Sequence, residues 1–390
     1  MNQLIWHFGA KDESIAPDII KEGWIFDSSQ ADLAKEYAKD AKEHLLRLLI
    51  KKDRKGQADT IEWLQKVIQV KTLLKKETSP KTTKTVFTDK ANAKLELLFR
   101  GHRFELEKES WFKDYLENPI KNEYASDYFD YEKWGEMKKW RTKLMTATGV
   151  VICPYCDRQY ITNFSFEMKD GEKNKTLSTL DHFYTKSKYP LFALSLFNFI
   201  PACYGCNSVI RGDEALNIYP YRPDYNTFSV FKLEISKSNK KENTLEIDKY
   251  NNTSNLVDFI LCKENAEFSI TQTASQKLPP DISAEVNSDI NTLKLNNVYT
   301  VHQDYVKDLL TIRRFYEESN YRSYVENLLN NTVFENGMKF PVTVNKLRLF
   351  LIGDDWINET NSSDLIPKRP LSKLTNAILN DDYIKEIVDD

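Results

Sequence analysis

The arrangement of the cysteines is the feature that most constrains how this chain can fold. Four of its five cysteines form two C-x-x-C pairs, Cys153/Cys156 and Cys203/Cys206, and Cys262 stands apart. Two thiolate pairs at this spacing can supply the four tetrahedral ligands of one structural zinc ion. The 46 residues between the pairs exceed the usual spacing of a zinc ribbon, so we expect a complete structural unit between them.

Two other kinds of cysteine site are alternatives to zinc. A thioredoxin-like redox pair would be expected in a βαβ context and would not need a second pair, and four-cysteine iron–sulfur sites usually show tighter spacing. All four ligand positions would be taken by cysteine. We therefore predict Zn²⁺ in a structural role.

Length and hydropathy limit the general class of the protein. A chain of 390 residues is longer than one typical core requires, which predicts two or three domains. No apolar run approaches the length of a membrane span, and residues 1–14 lack the charged and apolar regions of a signal peptide. We expect a soluble, cytoplasmic protein that does not enter a membrane.

Charge is unevenly distributed along the chain. The net charge is only −3, but residues 47–84 contain eleven Lys or Arg against four Asp or Glu. The local electrostatic field around a basic patch steers a charged partner more than the net charge of the whole chain does. The basic stretch therefore suits either a nucleic-acid-binding surface or an ordinary solvated helix face.

Hydrophobic periodicity predicts a mostly helical N-terminal domain over residues 1–147. Apolar residues recur at helical spacing between residues 34 and 49 and again over 58–76, and a further helical region covers about 90–118. The polar stretch Glu77–Lys84 between them resembles a linker or an exposed loop.

The remaining chain mixes strands and helices. Within a module at 148–225, alternation over Tyr160–Phe166 and the turn Lys169-Asp170-Gly171 predict a β-hairpin. A C-terminal region at 226–390 is β-rich to about residue 275 and helical from about Val286, and a last helix is predicted over Leu371–Val388. The predicted fold class is α+β.

The segment between the cysteine pairs carries residues suited to phosphodiester hydrolysis. These residues are Asp181, His182 and Asn198, and Asn207 follows the second pair directly. A histidine with a near-neutral pKa can take a proton from water. A carboxylate and an amide oxygen are hard ligands that suit Mg²⁺ or Mn²⁺, whereas thiolates favour zinc, so two metals with separate roles are chemically consistent.

The stretch DHFYTKSKYPLFALSLFNFIPACYGCNSVIRG resembles the HNH endonuclease family, whose ββα-metal fold is often braced by zinc. The resemblance covers about 60 residues. It implies that His182 is the general base, that Asp181 and Asn207 bind the catalytic metal, and that Asn198 holds the loop and orients His182.

Two positions depart from the commonest family pattern. Asn207 stands where the third signature residue is often histidine, which weakens metal affinity without abolishing it. Arg211 stands where lysine is frequent, and its guanidinium is able to bind a phosphate bidentately. We expect Arg211, together with Lys186, to contact the substrate phosphate.

The function predicted from these residues is metal-dependent hydrolysis of nucleic acid, with DNA as the expected substrate. RNA or tRNA cleavage is an alternative, since the centre recognises a phosphodiester rather than a sequence. A non-catalytic zinc module that binds a protein or a nucleic acid is a second alternative. The chain also resembles, more loosely, HNH proteins of bacterial anti-phage systems that work beside an ATPase, such as Septu, which implies an ATPase partner.

Overall fold

The structure is a computed structural model, and helices predominate over strands in it. This agrees with the predicted α+β class. The structure describes residues 31–51, 54–80, 82–168, 171–221, 225–236, 268–317, 369–380 and 383–388, together with residues 323 and 327.

The chain divides into two compact units. Met1–Cys153 and Tyr160–Leu216 form the first, and Pro154–Gln159 and Asn217–Asp390 form the second. This division differs from the three predicted domains, which stay a prediction.

Helices dominate the first half of the first unit, where the apolar periodicity predicted them. Their bounds are α1 Ala31–Ile50, α2 Gln57–Val67, α3 Asp89–Arg100, α4 Arg103–Leu106, α5 Ser110–Glu117, α6 Ala125–Tyr128 and α7 Met137–Ala147. In α1 the predicted apolar stripe is buried, including Tyr37, Ala41 and Leu45. The α1 prediction is therefore confirmed.

A β-hairpin corrects two predictions made between α2 and α3. Strand β1, Leu74–Ser79, pairs antiparallel with β2, Thr82–Phe87, in an unbroken register. The predicted helix over 58–76 therefore ends at Val67, and 77–84 is not a simple loop. Threonines and lysines, rather than an alternating apolar face, make up these strands, so the usual pattern of a half-buried strand is missing.

Two further antiparallel pairs lie between the cysteine pairs. Strands β3, Asn163–Met168, and β4, Gly171–Thr176, form the hairpin predicted from the alternation and the turn. Strand β5, Thr179–His182, pairs with β6, Phe199–Ala202, so that Asp181 lies opposite Ile200 and His182 opposite Phe199. A seven-residue π-type helix, Gly205–Arg211, follows β6.

The second unit contains a three-stranded sheet in which strand 229–236 lies between strands 268–274 and 383–388. Its strands are β7 Ser229–Ser236, β8 Phe268–Ala274 and β9 Tyr383–Val388, and its helices are α8 Pro280–Thr292, α9 Leu295–Tyr299, α10 Gln303–Glu317 and α11 Ser372–Asn380. β8 is antiparallel to β7, and β9 is parallel to it.

The chain end corrects a further prediction. The helix predicted over Leu371–Val388 ends at Asn380, and residues 383–388 form β9 instead. The predicted strand LEIDKY lies outside the described residues, as does Cys262. Within the described ranges, the structure contains no helix long and apolar enough to cross a membrane.

Aromatic packing fixes the long connection between β5 and β6. Phe112 and Tyr115 of α5 contact Phe192, with ring centroids 5.2 and 5.3 Å apart. The Tyr37 hydroxyl of α1 donates to the carbonyl of Leu194 at 2.9 Å. Because these groups are buried, the connection is held by the helical part of the unit rather than by its own short strands.

Candidate functional site

The two cysteine pairs come together in the folded chain. Their four Sγ atoms lie within 4.8 Å of one another, all four side chains are buried, and the thiols are free of disulfides. The sulfurs of a tetrahedral zinc site stand about 4 Å apart, since each Zn–S bond is about 2.3 Å. Four buried thiols at this separation can hold one metal ion such as zinc.

Local backbone contacts shape each cysteine pair. The turn that carries Cys153 and Cys156 is closed at its base by a β-bridge between Ile152 and Tyr160. In the second pair, the backbone N–H of Cys206 donates to the Sγ of Cys203 at 3.4 Å. Such N–H···S contacts favour the thiolate form, which is the form that binds a metal.

The Gly205–Arg211 helix packs on one face of β5. The Asn207 Nδ2 donates to the Oγ1 of Thr179 at 2.9 Å, and the Arg211 guanidinium pairs with the carboxylate of Asp181. Thr179 and Asp181 are two residues apart on a strand, and Asn207 and Arg211 are four apart on a helix, so each pair shares a face. The helix thereby brings Asn207 and Asp181 to the same side of β5.

Arg211 is directed inward, which corrects the expectation that it faces a substrate phosphate. Its side chain is fully buried and, beyond the ion pair with Asp181, donates to the carbonyls of His182 at 3.1 Å and Phe183 at 2.9 Å. Its Nε donates to the carbonyl of Glu214 at 2.8 Å. The guanidinium therefore neutralises Asp181 and ties the end of β5 to the helix.

The pairing with Arg211 also bears on the predicted catalytic metal. Among the described residues, the four cysteines are the one group of three or more His, Cys, Asp or Glu side chains placed to hold a metal. Asp181 and Asn207 share a face, but each engages a protein partner there. A Mg²⁺ or Mn²⁺ ion bound by these two residues would therefore compete with Arg211 for the carboxylate of Asp181.

His182, the last residue of β5, points to the opposite face from Asp181. Its Nε2 lies 3.1 Å from the carbonyl oxygen of Ala193. A carbonyl only accepts, so Nε2 carries the proton and Nδ1 has the free lone pair. Burial lowers the pKa of His182 to about 4, below the near-neutral value expected of a general base, so the buried ring is neutral near pH 7 but only weakly basic.

Asn198 anchors the connection around His182. Its buried Oδ1 accepts from the backbone N–H of Tyr184 at 2.7 Å, and its Nδ2 donates to the carbonyls of Tyr184 at 3.0 Å and Phe192 at 3.1 Å. These bonds hold the chain just after His182 and the residue before Ala193. The side chain is thus placed to orient the ring of His182 indirectly.

Lys186 lies at the surface beside the same connection. Its Nζ forms an ion pair with the Oε1 of Glu132 at 2.8 Å and lies 5.2 Å from the ring centroid of Tyr131. Unlike Arg211, Lys186 is exposed, and its ammonium is therefore accessible to an anion.

Tyr131, which covers His182, was not predicted as part of the site. The two ring centroids are 5.0 Å apart, and Phe199 of β6 also lies against the imidazole, at 5.3 Å. Tyr131 is 51 residues before His182 in the chain. A tyrosine between two charged residues has no periodicity or spacing that would connect it with the Asp181–His182 motif.

Comparisons with known proteins supply no relative for this chain. No protein-family model, curated protein or solved structure matches it.

Proposed function

We propose that the protein is a zinc-braced nuclease of the HNH type, with His182 as general base and DNA as its substrate. The observation that carries the proposal is the small module formed by β5, β6 and the Gly205–Arg211 helix beside the four-cysteine cluster. This order of two antiparallel strands and a helix is the one expected of a ββα-metal module, and Asp181, His182, Asn198 and Asn207 all lie within or next to it.

The hydrogen bonding of His182 supports the assignment. Donation from Nε2 to the carbonyl of Ala193 fixes both the tautomer and the ring direction, and leaves Nδ1 to accept a proton from an attacking water. Asn198 stabilises the loop that supplies this carbonyl. Because the ring is buried against Tyr131 and Phe199, water must reach it before Nδ1 can accept a proton.

Zinc in the cysteine site would be structural. Four thiolates occupy every tetrahedral position, so the ion would stabilise the small module and would leave no position for substrate. Asp181 and Asn207 are the residues that would hold a catalytic Mg²⁺ or Mn²⁺, which would stabilise charge on the phosphate.

Cleavage assays test the proposal directly. We expect the zinc-loaded protein to nick plasmid DNA with added Mg²⁺ or Mn²⁺ and not without it. The substitution His182→Gln keeps an N–H donor for Ala193 but removes the base, and should lower the rate by about 10²-fold or more. His102→Gln is the matched control and should leave the rate unchanged.

Three outcomes would contradict the proposal: cutting that needs no added metal, equal rates for a folded His182→Gln variant, or no cutting at all. Preferential cleavage of a structured RNA would support the alternative substrate. An ATPase partner and an antiviral role, expected from the looser resemblance, are tested by identifying the proteins that co-purify with the chain from its native cell.

A non-catalytic zinc module is the second candidate, and two observations favour it. Arg211 already neutralises Asp181, and His182 is almost fully buried. Such a module would bind its partner without hydrolysis. This candidate is supported if a preparation that binds its partner shows no cleavage with either metal.

A further inference from the structure

The β1–β2 hairpin is a two-stranded ribbon that extends into solvent without a core of its own. Residues 76–80 and 82–84 are all exposed, whereas Phe87, at the base of the ribbon, is buried. Isolated two-stranded hairpins are marginally stable in water because no apolar face is buried. The ribbon nevertheless keeps its register from Leu74↔Phe87 to Ser79↔Thr82.

Contacts at both ends hold the ribbon in shape. At the tip, the Ser79 hydroxyl lies 3.0 Å from the Oγ1 of Thr82 and 3.2 Å from its carbonyl oxygen. At the base, the N–H of Thr88 donates to the carbonyl of Leu73 at 2.9 Å. A preformed, exposed ribbon of this kind loses little conformational entropy when it binds a partner.

The charge of the ribbon indicates what that partner is. Residues 71–87 contain five lysines and one glutamate, a net charge of +4 in a chain whose total is −3. Lys75 is engaged by Glu77 at 3.2 Å and by Asp89 at 2.9 Å. Lys76 and Lys84, by contrast, have no ion-pair partner among the residues described, although Lys84 lies across the ladder from Glu77.

The side chains of Lys76 and Lys84 leave opposite faces of the ribbon. Lys76 is paired with Thr85, so the neighbouring Lys84 belongs to the other face. Between them, hydroxyl side chains cover the exposed surface, namely Thr78, Ser79, Thr82 and Thr83. Ammonium groups on both faces reach phosphates on two sides, and hydroxyls can donate to or accept from base edges.

We infer that the β1–β2 ribbon is a DNA-contacting arm that enters the major groove of a duplex. The major groove of B-DNA is about 12 Å wide and admits a two-stranded ribbon, whereas that of A-form RNA is too narrow for protein side chains to read. The exposed part of the ribbon spans about 15 Å, which exceeds the groove depth of about 8.5 Å. This inference rests on the proposed nuclease function and deepens it by adding a site that holds the substrate.

Binding measurements without added Mg²⁺ test the arm independently of cleavage. We expect Lys76→Gln/Lys84→Gln in the full-length protein to weaken binding of a labelled 20-base-pair DNA about tenfold at moderate salt. The slope of log K against log salt should become shallower by about 0.9 for each phosphate that the variant no longer neutralises. Lys108→Gln/Lys121→Gln removes the same charge from exposed lysines elsewhere in the same unit, and should change neither quantity.

A variant that is expected to bind DNA more tightly tests the inference without relying on a loss of binding. Thr83→Lys adds a charge to the exposed ribbon and should tighten DNA binding and steepen its salt dependence. The inference is overturned if both lysine pairs have equal effects, if duplex RNA of the same sequence binds as tightly as DNA, or if Thr83→Lys changes nothing. If the lysines only prevent edge-to-edge pairing of strands, Thr83→Lys should leave DNA binding unchanged.

The outcomes separate the arm from the nuclease proposal. Retained duplex binding with no cleavage would contradict the nuclease and leave the arm intact. Cleavage that is as fast in Lys76→Gln/Lys84→Gln as in the unaltered protein, at limiting DNA concentration, would contradict the arm and leave the nuclease intact.

Discussion

At the scale of single residues, the ion pair between Arg211 and Asp181 has the most direct consequence. Its two side chains are 0% and 5% exposed, so neither charge is appreciably solvated. A buried ion pair of this kind adds little stability over an apolar pair. Loss of one partner, however, leaves the other charge buried and unpaired in a medium of low polarity. Arg211 is therefore important for stability whatever the protein binds.

Substitution of Arg211 by methionine tests this role. We expect Arg211→Met to lower the free energy of unfolding by about 3–5 kcal/mol, because the Asp181 carboxylate is left buried and unpaired. Adding Asp181→Asn should restore part of the loss, since the amide carries no charge. Urea unfolding of the single and double variants measures both values.

The control for this prediction is a more exposed ion pair at the end of α4. Arg103 and Glu107 are four residues apart, their side chains are each 15% exposed, and their N···O distance is 2.8 Å. Arg103→Met should cost less than Arg211→Met. Equal costs would show that the burial of the Asp181 pair has no special effect.

At the scale of elements, the cysteine cluster holds together segments too short to be stable alone. Strands β5 and β6 have four residues each, and the helix that follows has seven. A metal bound by four thiolates adds its binding free energy to folding. The cluster should therefore have a large effect on the stability of the module.

Replacement of one ligand tests whether zinc occupies the cluster. We expect about one zinc per chain in the unaltered protein and near-complete loss in Cys203→Ser, with a fall in Tm of about 10 °C. Elemental analysis and calorimetry measure the two quantities. The matched control is Cys262→Ser, which removes the one cysteine outside the two pairs. Zinc retained in Cys203→Ser, or lost equally in Cys262→Ser, would refute a four-thiolate zinc site.

At the scale of the whole molecule, a half-buried histidine makes folding sensitive to acid. His44 stacks on Trp134 with ring centroids 5.3 Å apart. Burial, together with the nearby Arg47 and Arg54, lowers the pKa of His44 to about 4. In the unfolded chain a histidine has a pKa of about 6.5, so the unfolded state binds the proton first as the pH falls.

The sign of the effect follows from proton linkage. Between about pH 6.5 and 4 the unfolded state binds more protons than the folded state, so stability decreases as the pH is lowered through this window. We expect the urea midpoint of the unaltered protein to fall between about pH 7.5 and 5. The fall should be smaller in His44→Gln, which has no titrating ring. An equal fall in both proteins would contradict the prediction, and zinc loss in acid affects both alike.

Much of the fold was predictable because it follows from local patterns. Helix α1 and the β3–β4 hairpin were predicted from apolar periodicity and turn residues, and both are confirmed. The end of the chain was predicted incorrectly. Residues 383–388 form a strand because they pair in parallel with β7, which lies far earlier in the chain. Such pairing depends on a distant partner, and strand preference is strongly context-dependent.

The sequence by itself determined the composition of the candidate site. The spacing of Cys153, Cys156, Cys203 and Cys206 predicted a cluster that the structure brings within 4.8 Å. Asn207 lies 25 positions after His182, and the resemblance of this stretch to the HNH family is what connected it with Asp181 and His182. The spacing within each C-x-x-C pair is a short-range property that a single sequence shows, whereas 46 residues separate the two pairs.

Only the tertiary structure decided which way the charged side chains are directed and which residues pack over the site. Arg211 turns inward to Asp181, Tyr131 lies against His182, and the β1–β2 ribbon stands in solvent. Each depends on burial by residues far away in the chain, or on the absence of such burial. Desolvation and side-chain direction arise from the packed fold, and no local sequence pattern contains them.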